Sequence, residues 1–561
     1  METTIQKDSR LKKELGLLQL TALGVGAIIG AGIFIAPAAV ASLAGPLDIF
    51  SWIVGGLAMA IIALFYAELG SLKPTTSGFY VYAKETSGEF TGFISGWGTF
   101  LSYATTVPIE LFTIMLYLSS FVSGLTTNSI IPVFGSVSVL SYRGLALAIS
   151  LLWLLTLINI IGVKYGGWYA TITTGLKLAA LFSFIGGGLF FIHPSNYGLF
   201  LPRDQAGTGV LLGVSATVFS YMGFRQPTDV GGEAKNGNKI VPLATLLSIA
   251  VATAVYLAVS IVFTGMVNWS AMGIPKGVWS SIPSEYTLAQ VATSNGGLAL
   301  GLLITIGIII SALGTAGVFT TTTARVPYQM AENGPLSKVH GKYATPYVSL
   351  LVIAVFQTFL IAFSIGYWAL YYVSAISGVM SYGISGPLAA MIYRARGGKP
   401  GFRVPFGEFL APLGFVAASF LIYWSGWPYT GYGVGFVITG LFAYLIATRK
   451  RGLLAAAREM YKAGWLLVYL IGLILLSYAG PSSFNGQNII QFPYDEITVL
   501  AFSLAVYYTA YKSSPGKTGA LISSPLRRAL SLGRAVGLPL RESLPKKSAP
   551  KERRSALRAA S

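Results

Sequence analysis

The run Val25-Gly26-Ala27-Ile28-Ile29-Gly30-Ala31-Gly32-Ile33-Phe34 puts three glycines in the middle of an apolar, membrane-length segment extending from Leu17 to about Ser42. A helix interrupted at bilayer depth leaves backbone N–H and C=O groups that hydrocarbon cannot satisfy, so they must face protein, a cavity or a ligand. Gly26 and Gly30 also form a GxxxG pair, the pattern of closely packed helix faces, and on this segment alone the two readings stand level. A second interruption, Phe219-Ser220-Tyr221-Met222-Gly223-Phe224-Arg225-Gln226-Pro227, brings glycine, arginine and proline together inside another hydrophobic stretch. Interruptions at corresponding positions of two halves point to a substrate site between them.

With 54% hydrophobic and 10% charged residues and a mean hydropathy of +0.68, the chain reads as an all-α polytopic membrane protein. Windows of about 20 apolar residues, enough to cross roughly 30 Å of hydrocarbon, fall at about fourteen places. They lie at 17–42, 48–70, 93–123, 142–162, 168–192, 209–232, 242–266, 300–325, 347–365, 368–392, 407–426, 431–448, 463–480 and 495–511.

The net charge of +19 sits in alternate loops rather than on a nucleic-acid-binding face. Lys7, Arg10, Lys12 and Lys13 precede the first span. Lys73, Lys84, Lys164, Lys235, Lys239, Lys338 and Lys342 follow later ones, and Arg394, Arg396, Lys399, Arg403, Arg449, Lys450 and Arg451 continue the series. All these loops fall on one side, which the positive-inside rule makes the cytoplasm, so both termini are expected there and the protein in the cell membrane. The opposite loops, such as 268–294 and 480–496, are long and nearly neutral. The first apolar segment continues into further spans, unlike a cleaved signal peptide, and a cysteine count of 0 excludes disulfides and thiol-bound metal.

Spans one and six, which carry the interruptions, are five spans apart. An odd number of crossings per repeat predicts a five-plus-five inverted repeat with discontinuous helices 1 and 6. The expected organisation is a cytoplasmic N-terminus at 1–16, a transport core at 17–400, accessory spans 11–14 at 401–511 offering a face for self-association, and a basic, disordered cytoplasmic tail at 512–561. The segment 449–462 mixes basic residues with Leu453, Leu454, Met460 and Tyr461, and reads equally as an interfacial amphipathic helix or a basic loop.

Ionisable groups inside spans are costly, and each is a functional candidate. Lys177 lies about ten residues into span five; its ammonium must meet carbonyls or hydroxyls or give up its proton, which suits a coupling site. The plainer reading is a lysine in a polar cleft that never changes charge. Glu110 follows Pro108 in span three and Arg225 occupies the break of span six, so the two are candidates to pair, although Asp229 is also four residues from Arg225. Glu68 and Arg325 read as helix-end anchors, Arg325 also as a gate residue. At the first break, N–H groups around Ile29, Gly30, Ala31 and Gly32 carry partial positive charge suited to a carboxylate. At the second, carbonyls around Phe219, Ser220, Tyr221 and Met222 suit an ammonium, so a small zwitterion fits both poles. Phe219, Tyr221 and Phe224 are candidate pocket walls. His193 and His340 lie at or beyond span ends, leaving no metal cluster or Ser/His pair for catalysis, and no cofactor is called for. Gly516-Lys517-Thr518 lacks the first glycine of a phosphate loop.

These residues resemble the amino acid permeases of the amino acid/polyamine/organocation superfamily over roughly residues 10 to 400. The segment 26–34 is similar to that family's first-helix signature. Tyr66-Ala67-Glu68-Leu69-Gly70, Pro74, Ser77-Gly78, Tyr80 and Gly96-Trp97 are similar to the stretch joining its second and third helices. Asn159-Ile160-Ile161-Gly162-Val163-Lys164, Lys177, Gly223-Phe224, Gly232-Glu233-Ala234-Lys235-Asn236, Pro242, Arg325 and Ala331-Glu332-Asn333-Gly334-Pro335 continue the series. The resemblance implies the five-plus-five fold and, through a lysine at position 177 where sodium-coupled relatives bind an ion, proton coupling. Arg225 departs from the acidic or neutral residue common after Gly-Phe, which leaves room for an anionic substrate side chain, and Gly237 replaces the usual proline.

The resulting expectation is a proton-coupled amino acid symporter working by alternating access, with amino acid, protons and the lipid bilayer as its partners. The rivals are an exchanger without ion coupling and a non-transporting membrane sensor that signals through its tail.

Overall fold

A computed structural model of the chain describes residues 13–131, 135–161, 166–199, 203–331, 336, 338–341, 343, 345–363 and 366–514. The expected tail from residue 515 onward, the basic residues Lys7, Arg10, Lys12, Lys164 and Lys342, the segment 332–335 and the Gly516-Lys517-Thr518 triplet lie outside them.

A helix occupies each of the fourteen apolar windows. The first window holds two, α1 (Leu17–Ile28) and α2 (Ala31–Ala44), followed by α3 (Asp48–Leu72), a short α4 (Gly78–Ser87) and α5 (Glu89–Ser119). Then come α6 (Tyr142–Ile161), α7 (Gly166–Gly188), α8 (Arg203–Tyr221), the single turn α9 (Gln226–Asp229), α10 (Gly237–Met266) and the single turn α11 (Trp269–Met272). The described chain continues with α12 (Leu288–Gly296), α13 (Leu298–Met330), α14 (Tyr347–Phe363) and α15 (Tyr367–Gly383), which runs through a π-turn at Ile384–Leu388 into α16 (Ala389–Ala395). Last are α17 (Gly407–Tyr423), α18 (Tyr429–Thr448), α19 (Leu453–Lys462), α20 (Gly464–Ala479) and α21 (Tyr494–Ser513).

Length and composition alone qualify nine of the described helical segments as membrane spans, ten if the bent pair α19 and α20, at 68°, counts as one. The figure is below fourteen because Ala31–Leu72 counts as a single segment across the first two windows despite a 3₁₀ turn at Gly45–Leu47, α14 and α17 are shorter apolar helices, and α21 is not among the qualifying segments. One departure from a purely helical chain is an antiparallel hairpin, β1 (Thr126–Ile131) with β2 (Gly135–Leu140), pairing Thr126 with Leu140 and Ile131 with Gly135. Its β-branched content, Thr, Ile and Val, suits a pleated ribbon better than a helix. The segment after Arg451 is helical, and its Leu453, Leu454 and Tyr461 are exposed.

Helices pack in a regular offset. Within the first ten windows, α2 of the first lies on α8 of the sixth, α3 of the second on α10 of the seventh, α5 of the third on α13 of the eighth, and α6 of the fourth on α14 of the ninth. The innermost are α5 and α15, while α6 is largely uncovered and turns Leu154, Leu157, Ile158 and Ile161 outward. An outward apolar band around a core that buries serines, threonines and charges is what a bilayer solvent selects.

Candidate functional site

Both expected interruptions are present. At the first, α1 ends at Ile28, Ile29 (φ −80°, ψ 87°) and Gly30 (φ −127°, ψ −150°) are non-helical, and α2 starts at Ala31. Gly30 leaves room for the Glu110 carboxylate: a Cβ there would lie 2.3 Å from Glu110 Oε1. A Cβ on Gly26 would lie 2.4 Å from Thr174 Oγ1, and one on Gly32 2.5 Å from Ser220 Oγ. The glycines therefore serve close packing and interruption together; the two sequence readings are not rivals.

The carbonyls freed at this break are held by side chains from distant helices. Lys177 Nζ donates to Gly26 O (2.8 Å), Ile29 O (2.7 Å) and Thr315 Oγ1 (2.9 Å). An ammonium has three N–H donors, and all three are used. Thr315 Oγ1 also reaches Gly26 O at 3.0 Å, and Ser311 Oγ donates to Ile29 O at 3.2 Å. Tyr256 Oη lies 2.8 Å from both Ile28 O and Ser220 O, touching α1 and α8 at once. Lys177 is fully buried, and its Nζ meets two carbonyls and a hydroxyl.

On the C-terminal side of the break, the first N–H groups of α2 have no intrahelical acceptor. The Ala31 N–H donates to both carboxylate oxygens of Glu110, at 3.0 and 2.9 Å. Ile29 N–H is bonded to Val25 O and Gly30 N–H to Ile28 O, so the donors expected free across Ile29 to Gly32 are already engaged at Ile29, Gly30 and Ala31. A carboxylate at a helix N-terminus is favoured by the partial positive charge there. Here the protein supplies that carboxylate itself.

The second interruption follows α8. Met222 N–H bonds back to Phe219 O (3.1 Å), Gly223 adopts φ 108°, and Gln226 N–H bonds to Gly223 O (2.9 Å). Only glycine takes that φ without strain. A Cβ on Gly223 would also meet Ala27 C at 2.7 Å and Ile28 N at 2.8 Å, so the two breaks touch backbone to backbone.

Arg225, fully buried, donates from Nε to Tyr103 Oη (2.9 Å) and from Nη1 to Ser381 Oγ (3.0 Å), with Asp229 Oδ2 3.5 Å from Nε. Glu110 and Arg225, expected as a candidate pair, do not form one: each has nearer partners, Ala31 for the first and Asp229 for the second. Further toward the Lys- and Arg-rich loops, Arg325 pairs with Glu233 (2.7 Å) and Arg394 with Glu68, whose Oε2 also accepts from Val404 N–H. Lys235 N–H bonds to Leu15 O, tying the start of the described chain to the loop after α9.

Between the breaks lies a cleft of about 10 Å³, room for about one water. Of the expected site residues, Gly30, Gly32, Glu110, Phe219 and Met222 line it. Ala27, Ile28, Thr106 and Phe319 line it too and were missed by the sequence reading. Tyr221 and Phe224 stand elsewhere: Tyr221 Oη donates to Trp52 O (2.9 Å) and its ring packs on Tyr256, while Phe224 packs edge-on against Tyr66 and Tyr382. They support the walls rather than form them. Among the described residues no group of three His, Asp or Glu side chains could hold a metal ion.

The amino acid permease family profile matches residues 15–448, well over half of the chain. This chain belongs to the amino acid permease family. It is similar to the glutamate/serine transporter AimA of Bacillus subtilis (strain 168), 30% identical over 524 residues covering 90% of this chain and 94% of the relative. The aspartate-proton symporter of the same organism is 30% identical over 518 residues, 90% and 97% of the two chains. Its serine/threonine exchanger SteT is 30% identical over 437 residues, 74% and 91%. The permease is accordingly a multi-pass membrane protein that carries out secondary amino acid transport rather than catalysis.

Proposed function

We propose that this permease is a proton-coupled amino acid symporter of the cell membrane, working by alternating access with Lys177 as its coupling group. The observation that carries the reading is the three-way bond of the Lys177 ammonium to Gly26 O, Ile29 O and Thr315 Oγ1. A neutral amine keeps two N–H donors, so loss of the proton removes one of these bonds and loosens the break of α1. Proton occupancy and the shape of the substrate site thereby become one variable. The substrate's carboxylate would dock at the α2 N-terminus from Ile29 to Gly32, competing with Glu110 for Ala31 N–H. Its amine would face the carbonyls from Phe219 to Met222. A cleft of about 10 Å³ admits neither until α2 and α8 part, which alternating access entails.

The packing of span one on six, two on seven, three on eight and four on nine supports a five-plus-five inverted repeat within residues 17–400. We read residues 401–511 as accessory spans, making fourteen crossings with both termini cytoplasmic. The printed names of the relatives, which include a glutamate/serine transporter and an aspartate-proton symporter, support an amino acid substrate. The similarity to an exchanger supports a second reading, substrate exchange without ion coupling.

Uptake of labelled amino acids into proteoliposomes, with and without an inward pH gradient, separates the two. Symport predicts accumulation driven by the gradient into empty vesicles and lost in Lys177→Ala. Uptake that needs internal substrate and ignores the gradient would sink the coupling claim.

A further inference from the structure

Arg225 is the one fully buried arginine among the described residues, and it is only partly used. Its guanidinium lies among three rings, with Phe79 and Tyr103 centroids 4.8 Å and the Tyr382 centroid 4.4 Å from Cζ. Nε serves Tyr103 and faces Asp229, and Nη1 serves Ser381. Nη2 has no hydrogen-bond partner among the described residues, although it is buried. Nor do either end of the neighbouring Gln226 amide and Asp229 Oδ1. A buried guanidinium with an unspent edge is costly unless something answers it.

This cluster is joined to the cleft by a seam of hydroxyls. On α5, Thr99, Ser102 and Thr106 recur at three- and four-residue spacing and share one face; on α15, Ser374, Ser377 and Ser381 do the same. Thr106, which lines the cleft, reaches Ser374 Oγ at 3.4 Å, and Ser374 Oγ donates to Ser102 O at 2.9 Å. Thr99 Oγ1 and Ser381 Oγ are 2.9 Å apart, and Ser381 holds Arg225. Tyr103, bonded to Arg225, packs its ring edge-on against the cleft residue Phe319, with centroids 5.0 Å apart. The seven steps from Thr99 to Thr106 rise by about 10 Å. Arg225 therefore lies one or two turns from the cleft along a polar strip, on the same side as the Arg325–Glu233 pair.

We propose that Arg225, with the Gln226 amide and this hydroxyl seam, forms a second subsite that receives the side-chain carboxylate of an acidic amino acid as it leaves the cleft toward the cytoplasm. The inference rests on the transport reading above and names its substrate class. Nη2 has two N–H donors to offer an incoming carboxylate. Asp229 Oδ2 already lies 3.5 Å from Nε, so an incoming carboxylate puts two anions on one guanidinium. Asp229 then acts against the substrate, and its removal should favour acidic cargo.

The test is uptake of labelled L-aspartate, L-glutamate and L-alanine by proteoliposomes of the full-length protein, wild type against Arg225→Gln, Arg225→Lys and Asp229→Asn, each checked for a monodisperse peak and an unchanged thermal melt. Arg225→Gln is expected to lower the acidic-to-neutral uptake ratio at least about tenfold, the loss of one charge-assisted hydrogen bond. Alanine uptake should change little. Arg225→Lys, which keeps the charge without the fork, falls between. Asp229→Asn raises the ratio. If acidic and neutral uptake fall together in both neutralising variants, or if wild type carries alanine but neither acidic substrate, the subsite is overturned. A wild type that moves none of the three amino acids overturns the transport reading instead, and the subsite with it. Should Arg225→Gln fail to fold, Asp229→Asn decides alone through the direction of its ratio.

Discussion

At Ile29–Gly30 the chain leaves its helix with side chains from α7, α10 and α13 on its carbonyls and one from α5 on an N–H, whereas at Met222–Arg225 the chain turns on its own backbone bonds around Gly223. Unwinding a helix in a low-dielectric interior exposes the same kind of groups in both places. The first break delegates their satisfaction to groups that can change charge or rotate. The second meets it mostly locally, through a conformation that only glycine accepts, with Tyr256 of α10 reaching Ser220 O, and its one cation, Arg225, serves side chains instead. On the proposed reading the first break is the more adjustable of the two, so proton binding would have its lever at α1 while α8 and α9 would provide the frame.

The sharpest way to break this contrast is Gly223→Ala. A methyl group there combines a left-handed backbone with contacts under 3 Å to the backbone of Ala27 and Ile28. The cost should reach about 3 kcal/mol or more, and transport should be abolished at every pH, read as uptake per folded molecule after size-exclusion. A variant that transports normally would mean that the second break is not fixed.

Lys177→Ala comes next. It removes the three hydrogen bonds of the buried ammonium, leaving Gly26 O and Ile29 O only their Thr315 and Ser311 hydroxyls, and should destabilise by about 2–3 kcal/mol, lowering the melting temperature and removing gradient-driven uptake. If counterflow of substrate survives while gradient-driven uptake is lost, the lever and the frame are separable functions.

Glu110→Gln retains an oxygen for Ala31 N–H but removes the charge from the α2 N-terminus. About 1 kcal/mol of stability should go, and the affinity for substrate, measured by thermal shift, should change more than the melting temperature of the free protein. An unchanged affinity would separate Glu110 from the site.

The smallest effect is expected outside both breaks. Trp424→Phe removes the indole bond to Glu496 Oε1 (2.9 Å) between α17 and α21. It should cost under about 1 kcal/mol and leave uptake within experimental scatter.

Much of this was readable in the residues. A glycine-rich apolar run can be recognised as a break because few other sequences leave so little side chain at membrane depth, and each window near 20 apolar residues contains a helix. What escaped is what needs two distant segments at once. Ser311, Thr315 and Tyr256 are ordinary hydroxyl-bearing residues on long apolar helices, and nothing local distinguishes the one that meets a broken neighbour from one that bonds its own preceding turn, as Thr320 does with Ala316 O. Glu110 and Arg225 attract each other on paper, but α5 brings the carboxylate to Ala31 and α9 turns Asp229 back onto the guanidinium. The hairpin at 126–140 carried its signal in clustered β-branched residues between two spans, in a run too short to form a membrane-length window. Tyr221 and Phe224 show that an aromatic next to a break need not face the gap.

One phenol merits a last consideration. Tyr256 has a single hydrogen and two carbonyl oxygens at equal reach, Ile28 O on one discontinuous helix and Ser220 O on the other. At any instant one oxygen receives it and the other does without, and a turn about the C–O bond exchanges the two. The hydroxyl thus works as a toggle shared by both halves, so a shift in either α1 or α8 alters what the other is offered.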